Sequence, residues 1–191
     1  KLFTPVTFGP LTLRNRTIRS AAFESMCPGN APSDMLLNYH RSVAAGGIGM
    51  TTVAYAAVTR SGLSFDRQLW MRPEIIPGLR RLTDAVHAEG AAAGIQLGHC
   101  GNMSHKSICG CTPVGASGGF NLYSPTFVRG LRADELPELA RAYGRSVNLA
   151  REAGFDAVEI HAGHGYLISQ FLSPATNHRK DIFGGSLENR M

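Results

Sequence analysis

One short run, HAGHGY, holds two imidazoles and a phenol, His161, His164 and Tyr166, in a chain of 191 residues. Two histidines separated by two residues, where a strand gives way to a turn, can aim two N–H groups at one oxygen and so polarise a carbonyl. Hydride arriving at the carbon β to that carbonyl must be matched by a proton at the α carbon. A phenol with an ordinary pKa of about 10 is a suitable weak acid for that step. A second group offers different chemistry. Gln96 and His99 in IQLGHCG supply an amide and an imidazole, Ala21 and Ala22 ahead of Phe23 supply small side chains, and Tyr55 lies in another apolar run. Such a set suits the edge and face of a flat heteroaromatic ligand. A metal held by His161 and His164, with Glu159 or His178 as third ligand, is the rival reading. The zinc spacing of two histidines four apart on a helix with a glutamate between them is not present, so no metal is expected.

These residues must be positioned by alternating strands and helices. The apolar stretch Arg16–Ala22 is followed by Ser33, an N-cap candidate, and a helical pattern through Leu36, Leu37, Tyr39, His40 and Val43 that stops at Gly46-Gly47. A second apolar run, Ile48–Val58, leads to a helix over Ile75–Glu89, with Leu79, Leu82, Val86 and His87 on one face and Gly90 after it. The third run, Ala91–Leu97, is followed by a long glycine-rich loop from His99 to Arg132. A helix comes next, with its stripe at Leu136, Leu139, Ala140, Tyr143, Val147 and Ala150. A fourth strand, Phe155–Ile160, runs directly into His161. The result is an α/β chain of four β–α units with a parallel sheet.

An open dinucleotide-binding sheet would place G-x-G-x-x-G after its first strand, where this chain reads SAAFESM. A barrel of the (β/α)8 TIM type is therefore expected, with its active site at the C-terminal strand ends, where Ala21–Phe23, Tyr55, Gln96 and His161 all fall. A flavin is the heteroaromatic ligand that fits. An eight-unit barrel takes about 250 residues, so four units correspond to its N-terminal half. Residues 1–191 are expected to form a partial barrel domain that stops after the fourth unit, as GGSLENRM opens another helix. Within that segment Ser186 reads as an N-cap, Glu188 favours a helix start, and Asp181 is expected to bridge to Arg190.

Composition narrows the setting. With 43% hydrophobic and 17% charged residues, the chain is typical of globular proteins. The net charge of +5 is scattered, which argues against a nucleic-acid partner. No apolar run approaches the roughly 20 residues of a membrane-spanning helix, and KLFTPVTFGP lacks the apolar core of a secretory signal. A cytoplasmic protein acting on a small molecule, without a membrane partner, is the expectation. Cys27, Cys100, Cys109 and Cys111 do not form CxxC pairs and read as free thiols. His40 and His87, on helix faces, read as packing or surface residues.

The stretch HAGHGYLISQFLSPATNHRKDIFGGSLENR resembles the signature of the Old Yellow Enzyme and NADH:flavin oxidoreductase family. In that family a His-x-x-His or His-x-x-Asn pair, a tyrosine and an FLSP…N.R.D..GGS.ENR segment follow in this order. LTLRNRTIRSA is similar to the family's first strand and IQLGHCG to its third. The resemblance implies FMN as cofactor and NADH or NADPH as reductant. Gln96 would meet the flavin edge, Ala21, Ala22 and Phe23 would meet the ring, and Tyr55 would occupy the second-strand flavin position. His161 and His164 would bind the substrate's activating oxygen, with Tyr166 as proton donor. The chain departs from the family at Phe23, where many members carry Thr or Cys, at Tyr55, usually Gly or Ala, and at Asn102, often Arg.

The function expected is an FMN-dependent oxidoreductase of ene-reductase type, in which NAD(P)H is spent on an activated C=C bond of an enone, enoate or dienoyl compound. These four units alone are expected to be inactive. The alternative is a non-catalytic half-barrel without flavin turnover, pairing into a homo-oligomer through its sheet edges.

Overall fold

The computed structural model describes all residues, Lys1–Met191. In chain order the strands are β1 (Val6–Phe8), β2 (Leu11–Leu13), β3 (Ile18–Arg19), β4 (Met50–Ala57), β5 (Ala92–Gly98), β6 (Val114–Gly115), β7 (Gly119–Asn121), β8 (Thr126–Gly130) and β9 (Ala157–Ile160). The helices are α1 (Asp34–Ala45), α2 (Ile76–Ala88), α3 (Lys106–Cys109), α4 (Leu136–Glu152), α5 (Leu167–Leu172) and α6 (Leu187–Arg190). The chain divides into two compact units, one formed by Lys1–Ala56, Arg67–Leu97 and Ser146–Glu159, the other by Ala57–Asp66, Gly98–Arg145 and Ile160–Met191. No helix is long and apolar enough to cross a membrane.

The first unit is organised by the four-stranded sheet in the order β3-β4-β5-β9. Sequential strands are neighbours, with α1 between β3 and β4 and α2 between β4 and β5, and β3 runs parallel to β4 with Ile18 opposite Met50 and Arg19 opposite Thr51. β5 is buried at every residue and β4 at all but its first, the continuous burial of a covered parallel sheet rather than alternation. Ser33 caps α1 as expected, its hydroxyl accepting from Leu36 N at 3.2 Å. Leu36, Leu79, Leu82, Val86, Ile95 and Leu97 are shut off from solvent. Each such aliphatic side chain contributes about 1.5–3 kcal/mol on burial. At Gly49 a Cβ would come within 2.5 Å of Asn15 O, so the entry to β4 admits only glycine. β3 itself is two residues long, shorter than the expected Arg16–Ala22; Ala21–Phe23 continue in irregular backbone past its end. An antiparallel hairpin, β1 and β2, precedes the sheet and was not anticipated.

The second unit holds the region expected to be a long loop. Three short strands within it make a sheet in the order β6-β8-β7, with Gly119 opposite Val128 and the rings of Phe120 and Phe127 packed edge to face at 5.2 Å. Val114, Leu131 and Leu167 form a small buried cluster, with Leu136, Leu139 and Phe171 against it. Gln170 is its polar hub: Nε2 donates to Gly165 O at 2.7 Å, Asn102 Oδ1 at 2.9 Å and Cys100 O at 3.2 Å, while Oε1 accepts from Asn102 N at 3.2 Å.

Two expectations are corrected. Along α4 the buried positions are Ala142, Ser146 and Ala150; Ala140 and Val147 of the expected stripe are exposed. The N-terminal turns of α4 instead line an open groove of about 460 Å³ with Ile168, Phe171 and Phe183. Asp181 does not bridge to Arg190. It accepts from Arg179 Nε at 2.9 Å, two residues away in the same turn, while Arg190 Nε donates to Leu172 O at 2.8 Å. Arg179 also donates to Ala116 O at 3.0 Å and to Leu131 O, so this guanidinium fastens the 177–184 turn to the β6–β8 sheet. Ser186 caps α6 as expected.

Candidate functional site

In the first unit the candidate residues cluster at the C-terminal ends of β3, β4 and β5. Gln96, 9% exposed on β5, donates from Nε2 to Glu159 Oε1 on β9 at 2.6 Å. Its second N–H and its carbonyl are left for other partners. Tyr55 is buried on β4, and its backbone carbonyl accepts from Gln68 Nε2 at 3.3 Å. A small recess beside it is lined by Phe23, Glu24, Ala54 and Leu69.

The Ala21–Phe23 segment is held by a charge cluster that sequence reasoning missed. Arg19 donates from Nη1 to Thr52 O at 2.6 Å and from Nη2 to Ala22 O at 3.2 Å, and its Nη1 lies 2.9 Å from Glu24 Oε1. That carboxylate oxygen also accepts from Ala54 N at 3.2 Å. His40, fully buried on α1, bonds Thr51 Oγ1 through Nδ1 at 2.8 Å and turns Nε2 toward Glu24 at 3.3 Å. Arg19 and the N–H of Ala54 thus surround the Glu24 side chain, partners that a buried acidic group needs. Its signal was available: Glu24 is the one charged residue of SAAFESM. His87, the other helix-face histidine, pairs with Asp156 at 2.8 Å on the surface of this unit.

In the second unit the HAGHGY run folds into a tight turn after β9. His164 adopts a left-handed backbone, φ 56°, and Gly165 follows at φ 70°. The turn closes with Tyr166 N donating to Gly163 O at 3.1 Å. His161 is 7% exposed and forms the centre of an aromatic set, its ring 5.0 Å from that of His164 and 5.0 Å from that of Tyr166, the latter edge to face. His164 Nδ1 lies 3.3 Å from His161 Nε2, so the pair shares one hydrogen bond rather than presenting two parallel N–H groups. The phenol of Tyr166 donates to Ser64 Oγ at 3.4 Å.

His99 supports this turn, since its carbonyl accepts from Leu167 N at 2.9 Å. The ring is buried; Nδ1 accepts from Gly101 N at 3.0 Å, which leaves the proton on Nε2 to donate to Ser61 Oγ at 3.1 Å. Burial pushes its pKa down to about 4, so the imidazole is neutral at physiological pH.

A family model described as NADH:flavin oxidoreductase / NADH oxidase matches residues 1–191. The chain is 44% identical over 189 residues to a 4,4'-dithiodibutanoate disulfide reductase of Rhodococcus erythropolis, covering 99% of this chain and 47% of that protein. It is 37% identical over 195 residues to an NADPH dehydrogenase of Bacillus subtilis strain 168, covering 100% of this chain and 56% of that protein. Among solved structures, an old yellow enzyme homologue from Zymomonas mobilis superposes with a TM-score of 0.91 at 30% identity over 99% of this chain and 56% of that one. Morphinone reductase in complex with tetrahydroNAD superposes equally, with a TM-score of 0.91 at 30% identity and the same coverage. The chain thus spans about half the length of these relatives, and its sheet with helical crossovers is the N-terminal half of a TIM barrel. With its strand-end residues and the HAGHGY turn in place, the chain belongs to the NADH:flavin oxidoreductase / NADH oxidase family.

Proposed function

We propose that this chain is part of one flavin-binding domain of an enzyme that draws electrons from NADH or NADPH and reduces an activated C=C bond. The observation that carries the reading is the packing of the Tyr166 and His164 rings against that of His161 within one turn. The residues of the first unit fit FMN in the chemistry of their donor set: Gln96 offers both N–H and C=O, and the small side chains of Ala21 and Ala22 suit the approach of a flat ring whose edge carries both kinds of partner. FMN, when bound, supplies the hydride.

The protein's own residues supply orientation and the proton. Gln96, Ala21–Phe23 and Tyr55 would hold the ring, with Arg19 and Glu24 fixing the Ala21–Phe23 backbone. A substrate carbonyl would take the place of the His161–His164 hydrogen bond, accepting from one or both imidazoles and becoming polarised. Tyr166 would then give its proton to the α carbon, with Ser64 steadying the phenol beforehand.

The test is kinetic, on the whole protein. Replacing Tyr166→Phe should slow reduction of an enone by about 100-fold or more, the ordinary worth of a positioned acid. Flavin reduction by NAD(P)H should be spared, and equal loss in both half-reactions sinks the proton-donor role. The name of the Rhodococcus relative supports a second acceptor, an organic disulfide, taking the same two electrons. Turnover of a dialkyl disulfide in place of an enone would select it.

A further inference from the structure

Cys109 ends α3 and Cys111 lies two residues beyond it, with Gly110 in the left-handed conformation between them at φ 74°. The turn brings the thiols together: Cys111 Sγ donates to Cys109 Sγ at 3.6 Å, and Cys109 Sγ donates to Cys111 O at 3.1 Å. Cys109 is buried and Cys111 is exposed. A disulfide needs sulfur atoms about 2 Å apart, so a shift of roughly 1.5 Å would join them. The exposed Arg60 lies over the turn, since a Cβ on Gly110 would meet its Nη2 at 3.2 Å. Arg129 also acts on Cys111, but Glu135 holds that guanidinium at 2.7 and 2.9 Å, which leaves Arg60 as the cation open to an incoming anion.

We propose that Cys109 and Cys111 form a thiol–disulfide exchange site for anionic small-molecule disulfides, with Cys111 as the attacking sulfur, Cys109 as the resolving sulfur and Arg60 as the anion-recognising group. Burial, and then the hydrogen bond to Cys109, leaves the Cys111 thiol raised, with Arg60 and Arg129 opposing part of that shift. Cys100 is a bystander, fully buried, donating to Leu63 O and pushed up to about 12 by burial.

The chemistry balances within the pair and its substrate. Cys111 thiolate attacks one sulfur of R–S–S–R; a Cys111–S–S–R bond forms, the substrate S–S bond breaks and one thiolate leaves. Cys109 then loses its proton to solvent and attacks Cys111 Sγ, forming the intramolecular disulfide and releasing the second thiolate. The leaving thiolates pick up both protons. The protein dithiol is oxidised by two electrons and the substrate is reduced to two thiols, with neither flavin nor nicotinamide involved. A small dithiol reverses the cycle.

The experiment uses the whole protein with 3,3'-dithiodipropionate as probe and with no nicotinamide added, so its failure is separate from failure of the flavin reading. Two thiols should be released per chain. The tryptic peptide Ser107–Arg129, which contains both cysteines, should lose two hydrogens and resist alkylation. Cys109→Ser should release one thiol and retain a mixed disulfide on Cys111, and Cys111→Ser should release none. The cationic disulfide cystamine should react several-fold more slowly, and Arg60→Gln should remove that preference. The wild-type peptide mass decides the matter even if a variant fails to fold. An unchanged peptide, or a mixed disulfide on Cys111 that persists in the wild type, overturns the exchange site. Equal rates with both probes overturn the role of Arg60.

Discussion

Gln96 on β5 and Glu159 on β9 are joined by a 2.6 Å hydrogen bond across neighbouring strands of one sheet. The carboxylate fixes which way the amide faces, because only the NH2 end can donate to it. If Gln96 holds the flavin edge, Gln96→Ala should weaken FMN binding to the whole protein by about tenfold, the worth of one good hydrogen bond. Glu159→Gln, which frees the amide to flip, should do so by less. Quenching of flavin fluorescence on titration reads both, and unchanged affinity in Gln96→Ala removes the residue from the cofactor site.

His99 makes stability depend on pH. Its folded-state pKa lies near 4 against 6.5 for an ordinary histidine, so between those values the unfolded chain binds the proton that the folded chain refuses. Folding stability should therefore fall as pH drops from about 6.5 to about 4, by up to about 3 kcal/mol, and stay level above that window as far as His99 is concerned. His99→Asn keeps an acceptor for Gly101 N and should flatten the slope in urea titrations between pH 7 and 5. An identical slope in the variant would assign the dependence elsewhere.

Arg14 satisfies three carbonyls at helix ends and strand entry: Nη2 donates to Ala44 O at 2.5 Å, Nη1 to Glu89 O at 2.8 Å and Nε to Ile48 O at 2.9 Å. Charge-assisted bonds to the C-terminal carbonyls of α1 and α2 also oppose the negative ends of both helix dipoles. Arg14→Met should lower the stability of the chain by about 2–3 kcal/mol, visible as a lower urea midpoint. Arg14→Lys should recover only part, because an ammonium cannot fork to three acceptors.

Gly62 touches the ring of His99, where a Cβ would come within 2.9 Å of Cδ2. Gly62→Ala should cost about 1–3 kcal/mol by overpacking, and the methyl should also disturb the His99–Ser61 bond. The loss should shrink in the Gly62→Ala, His99→Asn double variant, where the smaller side chain makes room; additive losses would contradict the contact.

Periodicity was enough to read the β–α order, because continuous apolar runs and i, i+3, i+4 stripes survive without long-range knowledge. Ser33, Gly90 and Ser186 behaved as their local chemistry dictates. The long region after His99 was less legible: strands of two to five residues, flanked by glycine and serine, are too short for alternation to show. On α4 the apolar stripe was legible but its burial was not, since Leu136, Leu139 and Tyr143 face an open groove. Asp181 had three basic candidates within ten residues, Arg179, Lys180 and Arg190, and only the backbone turn selects Arg179. In the candidate site the closeness of the histidines and the tyrosine was readable from spacing, whereas the hydrogen bond between His161 and His164 was not. The Arg19–Glu24–His40 cluster was not, because its members lie on three separate elements.

The left-handed backbone of His164 limits which amino acids can stand at that position. β-Branched and bulky residues are strained there, whereas Asn, Asp and His are tolerated and Gly is free. Of these, only His and Asn also carry a neutral side-chain N–H that can be given to an oxygen. Asparagine thus passes two filters at position 164, one steric and one chemical. Position 164 has a vocabulary of two words, and His164→Asn is the substitution the turn should accept.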